Sequence, residues 1–148
     1  MITQINRLEN IITQLSTYLT SISEEDLRKK PAPGKWSKIE ILGHLVDSGI
    51  NNLKRFTEAQ FKPEPFEYDN YQQDDLVAAN QYQNASLKEV FFLYEAVNRR
   101  IIEVMKKQSE KALSKKVHNK SDGKTTDLKF IMTDYVDHME HHLKQILG

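Results

Sequence analysis

The sequence predicts an all-α protein, a four-helix bundle. Four long stretches carry apolar residues at three- and four-residue spacing. No stretch shows the alternation of a strand. Only five glycines and four prolines occur in 148 residues, and the prolines cluster in two places, which leaves room for long unbroken helices.

The first helix is expected from Ile2 to Thr20, with Ile5, Leu8, Ile12, Leu15 and Leu19 on one stripe. Ser23, followed by Glu24, Glu25 and Asp26, reads as an N-cap with an acidic first turn, hence a short helical turn. Lys30 to Lys35, with Pro31 and Pro33, breaks the chain. The second long helix opens at Trp36-Ser37 and is expected to reach about Gln60. Ser37 and Glu40 match the capping box, and Trp36 stands where it can pack on Ile41 as a staple. Its stripe is Ile39, Leu42, Leu45, Val46, Gly49, Leu53 and Phe56. Gly43 and Gly49 lower its helix propensity and read as close packing against a neighbouring helix.

Residues 61–84 form a connection that is long for a bundle, with a short helix expected within Asp74 to Tyr82. Such a segment crosses over the bundle or covers a site. Ser86 and Glu89 form a second capping box. Leu87, Val90, Phe91, Tyr94, Val97, Ile101 and Met105 then make the third stripe, to about Gln108. Residues 109–125 read as a polar loop holding His118 and the Ser121-Asp122-Gly123 turn. The fourth helix is expected from Thr126 to Leu147, with Leu128, Ile131, Met132, Tyr135, Met139, Leu143 and Ile146 inward. The whole reads as one domain over 1–148.

Composition narrows the function. The chain has no cysteine, which excludes disulfides, thiolate metal sites and a cysteine nucleophile. His, Asp and Glu remain as the strong metal ligands. Twenty-one basic and 21 acidic residues balance, so no nucleic-acid partner is expected. No apolar run approaches the roughly 18 residues of a membrane span, and no signal-peptide pattern opens the chain. A cytoplasmic protein with no membrane partner is the expectation.

The chemistry concentrates in Asp137 to His142. His138 and His142 are four apart on a helix, so they share a face and can grip one ion from two sides. Hydrogen-bonded histidines at the edge of the core are the competing reading. Met139 follows His138, so the zincin pattern, with its glutamate base, is absent. His141 lies about a quarter turn away or more and reads as exposed or as an outer support of the site, and His118 as surface. His44 is the leading third ligand. It shares a stripe with Asp47, Ser48, Asn51 and Arg55 that faces away from the apolar centre of its helix. That stripe is either a solvated surface or the wall of a polar cleft. Three neutral imidazoles would hold a divalent ion, nickel, zinc or iron, with positions left open for water or substrate. Because neutral rings are required, affinity is expected to fall as pH drops through roughly 6.5.

These residues carry a family likeness. Lys35-Trp36-Ser37 with Glu40, Gly43-His44-Leu45, Asp47-Ser48, Asn51, Arg55, and His138 to His142 with Gln145-Ile146 together resemble the DinB-like superfamily. This superfamily includes bacillithiol S-transferases and is related to mycothiol-dependent enzymes. The resemblance implies a bundle of up-down-down-up order with a metal at His44, His138 and His142. It also implies a homodimer. The expected activity is that of a metal-dependent enzyme on a small-molecule substrate. Transfer of a low-molecular-weight thiol comes first and metal-assisted hydrolysis second. Asp47 is the candidate outer partner of an imidazole or proton relay, and Asn51 and Arg55 are candidate substrate contacts. For Arg55 a surface salt bridge is the competing role. A non-catalytic metal- or ligand-binding dimer is the alternative for the whole chain.

Overall fold

The computed structural model describes all residues, 1–148. Its long helices are α1 (Ile2–Thr20), α3 (Lys38–Glu58), α5 (Leu87–Lys106) and α7 (Leu128–Leu147). Between them lie the short helices α2 (Glu24–Arg28), α4 (Gln73–Ala79) and α6 (Glu110–Leu113). No helix is long and apolar enough to cross a membrane.

Three of the four long helices, α3, α5 and α7, start where a side chain takes up a free amide; α1 starts at Met1 without one. Ser37 accepts from the Glu40 amide while the Glu40 carboxylate accepts from the Ser37 amide at 2.8 Å, a complete capping box. Ser86 caps α5 by accepting from the Glu89 amide, without the return bond from Glu89 that the expected capping box requires, and Asp127 caps α7 by accepting from the Phe130 amide. The four stripes meet in one core, in which Leu8, Leu42, Leu45, Ile101, Met132 and Met139 are among the fully covered residues. Each such side chain contributes ~1.5–3 kcal/mol by leaving water. Helix α1 packs on α5 and α7, and α3 packs on α5 and α7. The diagonal pairs are therefore α1 with α3 and α5 with α7, while α3 and α5, successive in the chain, are neighbours. Arg7 on α1 pairs with Asp137 and Glu140 on α7, and Glu9 with Lys106 at the end of α5. On the other side His44 meets His142, and Phe56 meets Tyr135.

Two expectations need correction. A small sheet exists, built from β1 (Phe66–Tyr68), β2 (Lys116–Asn119) and β3 (Lys124–Asp127), in the order β1-β2-β3. β1 runs parallel to β2, with Phe66 opposite Val117, and β3 runs antiparallel, with Thr126 opposite Val117. Strands of three and four residues are too short to display a two-residue period, so the sequence pattern hides them. The polar 109–125 segment is thus α6 and a hairpin rather than a loop. His118 sits on β2, with Nδ1 2.8 Å from the Thr125 hydroxyl. The hairpin also delays α7 by two residues, because Thr126 is held in the ladder.

The glycines of α3 act differently from each other. A Cβ at Gly49 would meet Val97 of α5 at 2.8 Å, the expected helix contact. A Cβ at Gly43 would instead fall 2.1 Å from the ring of Tyr82, in the 3-10 turn Tyr82–Asn84. The 61–84 connection is therefore pressed onto α3, and Gly43 is the place that admits it.

Candidate metal centre

Helices α3 and α7 lie side by side, and this brings His44 to the pair His138 and His142, the nearer of them 94 residues away in sequence. His138 Nε2 is central, 3.1 Å from His44 Nε2 and 3.0 Å from His142 Nε2. The three ligand atoms all lie within 4.8 Å of one another. Two nitrogens bonded to one ion at 2.0–2.1 Å stand ~2.9–3.4 Å apart, so the set is close enough to bind a metal.

Two of the rings have a polar partner behind them, His142 in Gln145 and His138 in Ser48. His142 Nδ1 donates to Gln145 Oε1 at 2.7 Å, which leaves its Nε2 lone pair facing the other two rings. Gln145 is in turn 3.4 Å from the exposed His141, which stays outside the ligand set. His138 Nδ1 stands 3.4 Å from the Ser48 hydroxyl. His44 lies 4.9 Å from the Trp36 ring and 6.5 Å from the Tyr71 ring, centroid to centroid. Its Nδ1 is buried with no partner.

Burial disfavours the charged form of these rings. It holds His44 down at about 3, with the neighbouring His138 and His142 adding to the effect. His138 is lowered to about 4, again by burial first and then by His142 and His141. His142 is lowered by burial, partly offset by its bond to Gln145. All three are therefore neutral at neutral pH, the form that ligates.

The solvated-surface reading of the His44 stripe is overturned. His44 is 0% exposed, and Asp47, Ser48 and Asn52 are buried with it. The wheel of one helix cannot see the cover, which comes from Trp36 and the 61–84 connection. Asp47 is held by that connection: its Oδ1 accepts from the Tyr82 hydroxyl at 2.7 Å and from Asn80 at 3.2 Å. Its Oδ2 has no partner, and burial raises its pKa. It makes no hydrogen bond to an imidazole. Asn51 donates to the Asp47 carbonyl one turn back. Arg55 donates to the Asp69 carbonyl at 2.6 Å and lies over the rings of Tyr68 and Tyr71, at 4.5 and 5.4 Å. It forms no salt bridge, and neither Asn51 nor Arg55 bonds to an imidazole.

Sequence reasoning missed the ring supports Ser48 and Gln145 as such, and the anchor Tyr82. Gln145 shares the i, i+3 face with His142, so its spacing carried the signal; Tyr82 had none. Beside His142 opens a cavity of about 480 Å³, with Trp36, Ile41, Gln73 and Gln145 in its walls. Trp36 and Ile41 on one wall fit the expected staple.

A sequence model of the DinB superfamily matches residues 7–146. No curated protein matches the sequence. Among solved structures, the chain is similar to YfiT from Bacillus subtilis, described as a probable metal-dependent hydrolase with an unusual four-helix bundle topology. There the TM-score is 0.89 at 18% identity, over 98% of this chain and 82% of that one. A mycothiol-dependent maleylpyruvate isomerase aligns at TM-score 0.73 and 14% identity, over 97% of this chain but 59% of its own. A DinB-like protein from Bacillus cereus aligns at 0.61 and 19%, over 95% and 81%. At these identities the structures speak for the fold alone.

Proposed function

This chain belongs to the DinB superfamily, and on that premise we propose that it is a metal-dependent enzyme that transfers a low-molecular-weight thiol to a small electrophile. The observation that carries the reading is the convergence of three neutral Nε2 atoms beside an open cavity. His44, His138 and His142 would hold one divalent ion. Such an ion acidifies a bound thiol or water and so supplies a nucleophile near neutral pH. Ser48 and Gln145 keep two of the rings turned inward, and Trp36 excludes water from the His44 side. Asp47 serves as an indirect support, fixing the connection that covers His44. Arg55 orders the same cover through Tyr68 and Tyr71, and Asn51 props the backbone of Asp47.

Thiol transfer is favoured over hydrolysis because no carboxylate is hydrogen-bonded to the triad, and Asp47, one turn from His44, is tied through Oδ1 to Tyr82 and Asn80. Hydrolysis remains the second reading, supported by the likeness to YfiT. The helix pairings support the up-down-down-up order. Arg7 and Tyr18 follow Asp137 and Gln145 in the same direction, whereas His44 and Phe56 meet His142 and Tyr135 in reverse. The homodimer that the resemblance implies has a fitting surface in Ile50 and Leu53 of α3 with Phe61 just beyond its end.

The test is elemental analysis of the purified chain after loading with nickel, zinc or iron, followed by thiol consumption with an alkylating electrophile. One ion per chain, lost in His44→Ala and His142→Ala, is expected, with turnover only in the loaded protein. Wild type that takes up no stoichiometric metal sinks the proposal. A loaded protein that never consumes thiol favours the non-catalytic binding module.

A further inference from the structure

Although the chain is neutral overall, its charge is uneven. Residues 28–38 contain Arg28, Lys29, Lys30, Lys35 and Lys38 and no acid. Arg28 and Lys30 are spoken for, by Glu24 and Glu40. Lys29, Lys35 and Lys38 take part in no ion pair. These three border the cavity system. Lys35 lies on the cavity that reaches His142. Lys29 and Lys38 lie on a second cavity, of about 430 Å³, which shares Pro31, Trp36, Ile41 and Gln145 with the first. The two adjoin at these four residues, with His142 and Lys35 on the first and Lys29 and Lys38 on the second. Lys38 is steadied by a hydrogen bond to the Tyr18 hydroxyl and by the Tyr18 ring. Asp26 and Asp74 also line the two cavities, leaving the lining one positive charge in excess.

A ligand reacting at the triad has somewhere to put its other end. We propose that the second cavity is a further subsite, which holds the anionic end, carboxylate or phosphate, of an elongated substrate whose reacting group sits at the triad. The location of that reacting group rests on the metal reading above; the anion subsite itself does not. Exposed charge pairs are each worth a few-fold in affinity, so three lysines give a preference of about tenfold for the charged ligand.

Trp36 is the only tryptophan and lines both cavities, so its fluorescence reports both. The metal-free full chain is titrated with S-methylglutathione and with its diethyl ester, then with S-methyl-phosphopantetheine and S-methylpantetheine. A separate titration with Ni(II) reads the triad. The charged member of at least one pair is expected to bind about tenfold more tightly, a preference that shrinks as salt is raised. The pair that discriminates separates carboxylate from phosphate. The Lys29→Gln/Lys35→Gln variant, both positions exposed, is expected to lose most of that preference while its Ni(II) quenching and helical circular dichroism stay unchanged. Lys38→Gln is the second variant. Equal binding of charged and uncharged members in both pairs, or a preference untouched by the lysine variants, overturns the subsite. Anion preference without Ni(II) quenching would retain the subsite and discard the metal reading.

Discussion

The buried imidazoles should make the metal-free protein acid-sensitive by a calculable amount. His44 and His138 have their pKa lowered in the fold to about 3 and about 4. In the unfolded chain each returns to ~6.5. Between these values the unfolded state binds more protons than the native state, so stability falls as pH drops below the unfolded value. The loss begins near pH 6.5, grows downward, and stops only below the folded values. From pH 7 to pH 5 a histidine that stays neutral when folded forfeits ~1.9 kcal/mol, and two forfeit roughly 4 kcal/mol at most. That is a large part of a total stability of ~5–15 kcal/mol. The assay is urea unfolding of the full chain at pH 7, 6 and 5 with a chelator present, followed by far-ultraviolet circular dichroism. The comparison is His44→Gln/His138→Gln, whose absolute stability is immaterial because only the pH slope is read. Wild type should lose several kcal/mol more than the variant across this range. A difference below ~1 kcal/mol would refute the argument that burial holds these rings neutral.

Other outcomes follow from the same geometry. Metal affinity should not begin to collapse at pH 6.5, the ordinary imidazole value expected from sequence, but hold until lower pH, because protons compete poorly for lowered ligands; isothermal titration between pH 7 and 5 measures this. Ser48→Ala and Gln145→Ala should each weaken metal binding by roughly 10–100-fold, His44→Ala and His142→Ala by more, and His141→Ala by little. Gly43→Ala drives a Cβ into the Tyr82 ring and breaks the Tyr82–Asp47 bond; overpacking of ~1–3 kcal/mol exceeds the ~1 kcal/mol gained in helix propensity. Chemical denaturation should record a net loss, relieved by Tyr82→Ala in the same chain. Tyr135→Phe leaves the buried Asn98 side-chain oxygen without the donor it now has at 2.6 Å, and should cost ~1–3 kcal/mol in the same assay.

The long helices were legible because their signals are local. Ser37 and Glu40 announce a start within four residues, and the stripe of α1 repeats often enough for both ends to be placed at Ile2 and Thr20. The sheet was not legible, since Phe66 to Tyr68 gains its partners 50 residues later and carries no period of its own. The pair His138 and His142 could be read from spacing alone. His44 could not, because its burial is imposed by Trp36 and by a connection whose path the sequence leaves open. The outer partners divide in the same way. Gln145 sits one turn from His142 on one helix, while Ser48 reaches His138 only across the interface between α3 and α7.

That interface has a consequence for synthesis of the chain. His44 leaves the ribosome some hundred residues before His142, and the two share a site only once α7 has docked against α3. Chains grow at ~5–20 residues per second, so His44 spends several seconds or more without its partners. During that time the nascent chain offers His44 without either of its partners in the triad. If the triad holds an ion as proposed, its full affinity arises only in finished molecules, and a chain broken off before Asp137 would lack two of the three ligands.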